Sequence, residues 1–277
     1  LQLAAKLQPE LPKAYYYIGN LWYDKRQYEK AQEAWETSAK LEDTYPTVLR
    51  NLSLVYYNQS DMPEKAKEVL EKAFALDTAD ARIFLELDQL YKKLGYSVEE
   101  RIAFYEKYPE TFAKRDDVFI EYITMQNFVG NHEKAYELLM SRKFHPWEGG
   151  EGKATTQYTT SLVEQAKKAI AKEDFTGAKA LLEKALVYPE NLGEGKLEGT
   201  KDNHIHYYLG LVEKALGNED RAKELFATAS TGTDEPAGMM FYNDQPADMI
   251  MFQGMALREL GALVASNSRF YKLISYG

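Results

Sequence analysis

The stretch His204-Ile-His-Tyr-Tyr-Leu-Gly210-Leu-Val-Glu-Lys-Ala-Leu-Gly217-Asn-Glu-Asp-Arg-Ala222-Lys-Glu-Leu-Phe226-Ala-Thr-Ala229-Ser230 decides the fold. It reads as helix, turn, helix. Gly217 marks the turn, and small residues at Gly210, Ala222 and Ala229 let the two helices approach while the larger Phe226 fills the gap between them. The unit recurs outward from here. Tyr28-Glu-Lys-Ala31, Pro63-Glu-Lys-Ala66, His132-Glu-Lys-Ala135 and Asp220-Arg-Ala222 carry nearly one phrase, and the first two alanines stand 35 residues apart. Between them an apolar pattern at helical spacing runs through Ile18, Trp22, Tyr28, Ala31, Trp35 and Leu41.

A period near 34 with small residues at fixed places resembles the tetratricopeptide (TPR) repeat, and Gly210, Gly217, Ala222, Phe226 and Ala229 occupy five of its signature positions. Gly254, Gly261 and Phe270 repeat three of them 44 residues later, with Ser266 in place of an alanine. The resemblance implies an all-α fold, a TPR-like superhelix (solenoid) of about seven hairpins, at 12–45, 47–80, 81–115, 116–144, 159–192, 203–236 and 247–277. Four hairpins thus occupy 12–144 and three occupy 159–277. A Gly-rich loop at 145–158 separates the two groups, and further loops are expected at 193–202 and 237–246. The third and fourth hairpins match least, since Arg101 stands where alanine is expected and neither has the first-helix glycine. Ser97 with Glu100 forms a capping-box pattern for the helix that follows. Ala4, Leu7 and Pro9 match the close of a preceding repeat, so 1–11 reads as the end of a truncated hairpin with more chain expected upstream.

Composition narrows the function classes. A net charge of -9 opposes a phosphate-tracking surface, so nucleic acid is not expected as a partner. Zero cysteines exclude disulfides, thiolate metal sites and a cysteine nucleophile. Apolar runs are short and broken by charge, which predicts no membrane insertion. The cytoplasm is favoured over export only slightly, because the start of the chain reads as a truncation.

Two loops share the pattern P-x-x-x-G-E-G-K, at Pro146-Trp-Glu-Gly-Gly-Glu-Gly-Lys153 and Pro189-Glu-Asn-Leu-Gly-Glu-Gly-Lys196, 43 residues apart. Glycines that open the backbone and an acid near a following helix start suffice for a structural role. The alternative is a partner contact through Trp147, Glu148, Glu151, Lys153, Glu194 and Lys196. These phrases, with Tyr207-Tyr-Leu-Gly210, look like the C-terminal TPR region of a family of large bacterial proteins. In that family an uncharacterised β-rich N-terminal domain, similar to galactose mutarotase, precedes the repeats. The resemblance covers the chain from about Phe144 onward and implies a carbohydrate-related neighbour domain.

Chemical motifs give little. The G-E-G-K phrases lack the glycine spacing and the Ser or Thr of a phosphate-binding loop. His204 and His206, two apart, point to different sides of a helix, unlike metal ligands four apart. Glu148, Glu151, Glu190 and Glu194 could offer a carboxylate pair for glycoside hydrolysis, but acids in a chain with 43 of them are mostly solvated. No enzyme activity, cofactor or metal is expected.

The repeat frame instead assigns inward, groove-lining positions to Tyr16, Asn20, Tyr23, Asn51, Asn58, Arg82, Gln89, Lys92, Asn127, Tyr207 and Arg258. Asn and Gln can pair with the backbone of an extended peptide, and Tyr adds rigid contact area. Tyr15, Trp22, Tyr28 and Trp35 fall on packing positions. The chaperone-tail clamp of some TPR proteins is met at Asn20 and Arg82 but not at Tyr16, Leu52 and Glu86. The expectation is a scaffold for a protein or peptide, or for an upstream domain of the same chain. The alternative is an accessory region of a carbohydrate-binding or carbohydrate-active enzyme.

Overall fold

A computed structural model describes residues 2–236 and 246–276. Apart from Pro246, the expected loop at 237–246 lies outside the described residues, as does the side chain of Ala4. Among the described residues there are sixteen α-helices and no strand. Contacts divide the chain into a first unit, Leu1–Tyr122, and a second, Ile123–Gly277.

The first unit holds α1 (Gln2–Leu7), α2 (Pro12–Asp24), α3 (Tyr28–Leu41), α4 (Pro46–Asn58), α5 (Pro63–Leu76), α6 (Ala81–Lys93), α7 (Val98–Lys107) and the short α8 (Pro109–Phe112). Helix α9 (Asp116–Phe128) contains the division point. The second unit continues with α10 (His132–Met140), α11 (Lys153–Ala171), α12 (Phe175–Ala185), α13 (Asn203–Ala215), α14 (Glu219–Ala229), α15 (Ala247–Glu259) and α16 (Leu263–Tyr276), with a 3-10 turn at Glu190–Leu192.

Local chemistry sets the helix starts. Proline opens α2, α4, α5 and α8, where its missing N–H costs nothing and its fixed φ suits the first turn. The Asp80 carboxylate accepts from the Arg82 and Ile83 N–H groups at 2.8 and 3.1 Å to cap α6. The Ser97 and Glu100 capping box forms at α7 as its sequence predicts. Each turn inside a hairpin carries one residue with positive φ. Gly95, Gly130, Gly217 and Gly261 supply it in four turns, and Arg26, Asp61 and Glu173 adopt it in the other three at the cost of crowding their Cβ.

Where the helices of a hairpin cross, three positions recur. A Cβ added at Gly19 would meet the Trp35 ring at 2.3 Å, at Gly210 the Phe226 ring at 2.5 Å, and at Gly254 the Phe270 ring at 2.7 Å. Ala31, Ala222 and Ser266 are the buried small residues beside those rings, and the Ser266 hydroxyl donates to the Gly254 carbonyl at 2.7 Å. Ser53, Ala66 and Leu70 hold the same places in α4/α5, Ile123, Ala135 and Leu139 in α9/α10, and Ala166, Ala178 and Leu182 in α11/α12, all buried.

The third hairpin is the exception that its poor repeat match announced. Asp88 takes the glycine place, Arg101 the alanine place and Tyr105 the aromatic place. Arg101 donates to Asp88 through Nε at 2.8 Å and a terminal nitrogen at 2.7 Å, and the Tyr105 hydroxyl donates to Asp88 at 3.0 Å. All three are buried. An ion pair out of water persists only when its geometry and hydrogen bonds offset desolvation, and a two-toothed guanidinium-carboxylate pair does so best.

Candidate functional site

In the first unit, half of the expected groove residues serve packing as well. The Trp35 Nε1–H donates to the Tyr16 carbonyl at 3.1 Å and to Asn20 Oδ1 at 3.0 Å, and Asn51 Nδ2 donates to the same Asn20 oxygen at 3.2 Å. Tyr16 packs against Tyr45 at 5.2 Å between ring centroids, and Tyr23 against Trp35 at 5.4 Å. Trp35 is buried as its packing position predicts, and Tyr15, Trp22 and Tyr28 are half-buried. Asn58, Arg82, Gln89 and Lys92 are exposed. Asn58 and Gln89 line a groove of about 210 Å³ between α4 and α6, together with Arg50, Tyr57, Glu86 and Lys93.

In the second unit the frame and the geometry part at two residues. Asn127 is buried, its Nδ2 donating to Gln157 Oε1 at 2.9 Å and its Oδ1 accepting from the Ser161 hydroxyl at 3.1 Å. Tyr207 is buried against Phe226 and Phe252. Both are packing residues. Arg258 is exposed, its guanidinium 5.4 Å from the centre of the Phe270 ring.

Tyr208, the neighbour of Tyr207, lines a groove instead. A groove of about 480 Å³ runs across α11, α13 and α15, the first helices of three successive hairpins. Val163, Tyr208, Met249 and Phe252 form its apolar floor, and Thr156, Thr160, Lys201 and Asp248 stand at its edge. On α11 the lining positions 156, 160, 163 and 167 follow one helical face, the signal that a sequence reading could have used. Lys167 is held above its usual pKa by a 2.7 Å bond to Glu164, so this pair brings no net charge. Burial pushes the Tyr208 hydroxyl up and the His204 imidazole down, leaving both neutral near pH 7. His204 Nδ1 lies 3.2 Å from the Met249 sulfur. Burial also raises Tyr188, with the nearby Thr159 hydroxyl acting in the opposite direction without reaching hydrogen-bond geometry.

The paired G-E-G-K loops bind each other. Glu194 of the second accepts from the Gly152 N–H of the first at 2.8 and 3.1 Å, placing a carboxylate at the start of α11, where the helix dipole favours it by up to about 1 kcal/mol. Asn191 Nδ2 donates to the Leu139 and Arg142 carbonyls at 2.9 Å each, capping the end of α10, and its own carbonyl accepts from the Phe144 N–H at 2.7 Å. Gly193 is needed here: a Cβ would stand 2.6 Å from the Phe144 carbonyl oxygen, at a φ of 78°. Lys196 donates to the Leu186 carbonyl at 2.9 Å and pairs with Asp202 at 2.6 Å. Trp147 folds over Gly150, while Glu148, Glu151 and Lys153 are exposed. Because α11 starts at Lys153, the end of the expected 145–158 loop is helix.

Among the described residues no group of three or more His, Asp or Glu side chains is placed to hold a metal ion, and no helix is long and apolar enough to cross a membrane. No protein-family model matches the chain. Among solved structures it is similar to YrrB, a TPR protein with an unusual peptide-binding site, at 17% identity and a TM-score of 0.47, covering 67% of this chain and 90% of that one. A tetratricopeptide repeat protein from Parabacteroides merdae ATCC 43184 shares 12% identity at a TM-score of 0.48, over 96% and 93% of the two chains. The TPR2AB-domain:pHSP90 complex of yeast Sti1 shares 14% at 0.39, over 95% and 89%. The helices and their crossings make the chain an all-α array of TPR-like hairpins.

Proposed function

We propose that the chain is a non-catalytic scaffold that holds a protein or peptide segment, from another chain or from elsewhere in its own polypeptide, in the groove across α11, α13 and α15. The observation that carries this is the groove itself: about 480 Å³, with an apolar and aromatic floor and a rim of hydroxyls and charges of both signs. Such a site suits an extended segment that buries one or two apolar side chains and keeps its backbone partly wet. The carbohydrate-linked reading rests on the loop phrases, whose glycines, Glu194 and Lys196 already have structural work.

The test is selection of a random twelve-residue phage-displayed peptide library on the chain, followed by binding of the selected peptides to Thr156→Arg with Thr160→Arg. Both side chains line the groove, Thr156 exposed and Thr160 half-buried. Loss of binding by tenfold or more, with an unchanged circular dichroism spectrum, is expected. Full retention would place the peptides elsewhere.

A further inference from the structure

The smaller groove, between α4 and α6 of the first unit, has a different chemistry from the one above. Arg50, Glu86 and Lys93 line it, and Arg82 reaches Glu86 from the turn before on α6. Arg50 grips Glu86 with two nitrogens, and both side chains are largely shielded from solvent. That pair is self-contained. Arg82 reaches Glu86 at only 3.5 Å with 64% of its side chain exposed, and the Lys93 ammonium lies 5.0 Å from the centre of the Tyr57 ring. Arg82 and Lys93 are therefore the exposed cations on this face of α6, in a chain whose net charge is -9.

Helix geometry turns those charges into a spacing. Arg82 and Lys93 are eleven residues apart on α6, close to three full turns, so they share a face at a separation of ~16 Å. Gln89 lies on the same face between them, and Asn58 faces it from α4, both exposed and with no side-chain hydrogen bond among the described residues. An extended polypeptide covers ~16 Å in roughly five residues. Extending the scaffold reading to the first unit, we infer that this groove takes an internal acidic segment, with two carboxylates about five residues apart meeting Arg82 and Lys93 and the intervening backbone paired by Gln89 and Asn58. Charge-assisted hydrogen bonds to an arginine fork give this contact both strength and direction. Easing the dipole at the end of its own helix accounts for Lys93 alone, and the i,i+4 contact with Glu86 leaves most of the Arg82 side chain open to solvent.

The probes are fluorescein-labelled twelve-residue Gly/Ser peptides with blocked C-termini, carrying two glutamates five apart, two adjacent glutamates, or two lysines five apart, titrated against the whole chain by anisotropy at low salt. The spaced-glutamate peptide should bind at least tenfold tighter than the other two. Arg82→Glu with Lys93→Glu should abolish the difference at unchanged helicity and melting temperature, and freeing the peptide's C-terminal carboxylate should add nothing. Equal binding of the three peptides, absence of binding, or retention in the double variant would overturn the inference. Peptides that sit in the α11/α13/α15 groove should be lost with Thr156→Arg and Thr160→Arg and kept with Arg82→Glu and Lys93→Glu, so that reading survives or fails on its own.

Discussion

In α13/α14 the helices meet because nothing stands between Gly210 and the Phe226 ring; in α6/α7 the same two places hold Asp88 and Tyr105, with Arg101 where Ala222 sits. The sixth hairpin closes by leaving space and filling it with an apolar ring. The third closes by filling the space with charge and pairing both oxygens of the Asp88 carboxylate. A repeat position therefore specifies that its occupants fit each other, and a residue foreign to the pattern is tolerated when its partner changes with it.

The largest effect should come from breaking one side of the charged solution. Asp88→Ala leaves the Arg101 guanidinium buried without its carboxylate and should cost about 3–5 kcal/mol in urea unfolding. Asp88→Gly with Arg101→Ala restores the small-residue crossing and should recover much of that loss. If the double variant is as unstable as the single, the two hairpins are not alternative solutions of one problem. On the apolar side, Gly210→Val drives a side chain into the Phe226 ring and should cost about 1–3 kcal/mol by thermal unfolding, with Phe226→Leu as partial relief.

Tyr105→Phe removes one hydrogen bond to Asp88 and should cost about 1 kcal/mol at neutral pH. Burial, and then the Asp88 charge, hold the Tyr105 hydroxyl well above the usual 10.0. Its protonated form is thus favoured by folding, so this contribution is whole below pH 10 and declines as pH rises toward the folded-state value. The deficit of Tyr105→Phe against the wild type should accordingly shrink above pH 10 in alkaline unfolding. The smallest effects lie in the turns. Glu173→Gly should stabilise by about 0.5–1 kcal/mol and Gly217→Ala should destabilise by about 1 kcal/mol, because both positions have positive φ.

These differences also show what a single sequence can reveal. The hairpin array was legible because glycine, alanine and a large ring recur at fixed intervals, and packing needs all three together. Arg101 broke the pattern, and only the approach of Asp88 across the hairpin explains it. The groove was harder. One helical residue is a rotation of about 100°, so a frame correct in period and wrong by one position put Tyr207 inward, where Tyr208 lines the cleft. Thr156 on α11 was missed because it lies before the repeat frame, in a helix extension that a glycine-rich phrase had concealed. The repeated loop phrase was visible at once, but contact between Gly152 and Glu194 depends on how the intervening hairpin returns the chain.

That return has a consequence for how this part of the molecule can be edited. The Phe144 N–H and the Asn191 carbonyl, at opposite ends of a long detour through α11 and α12, are 2.7 Å apart. The detour is a closed excursion, and segments whose ends meet are the ones that protein chains gain, lose or exchange with least disturbance to what flanks them. Residues 144–191 therefore form a closed excursion whose two ends are tied to each other, although α11 and α12 still pack against α10 and α13.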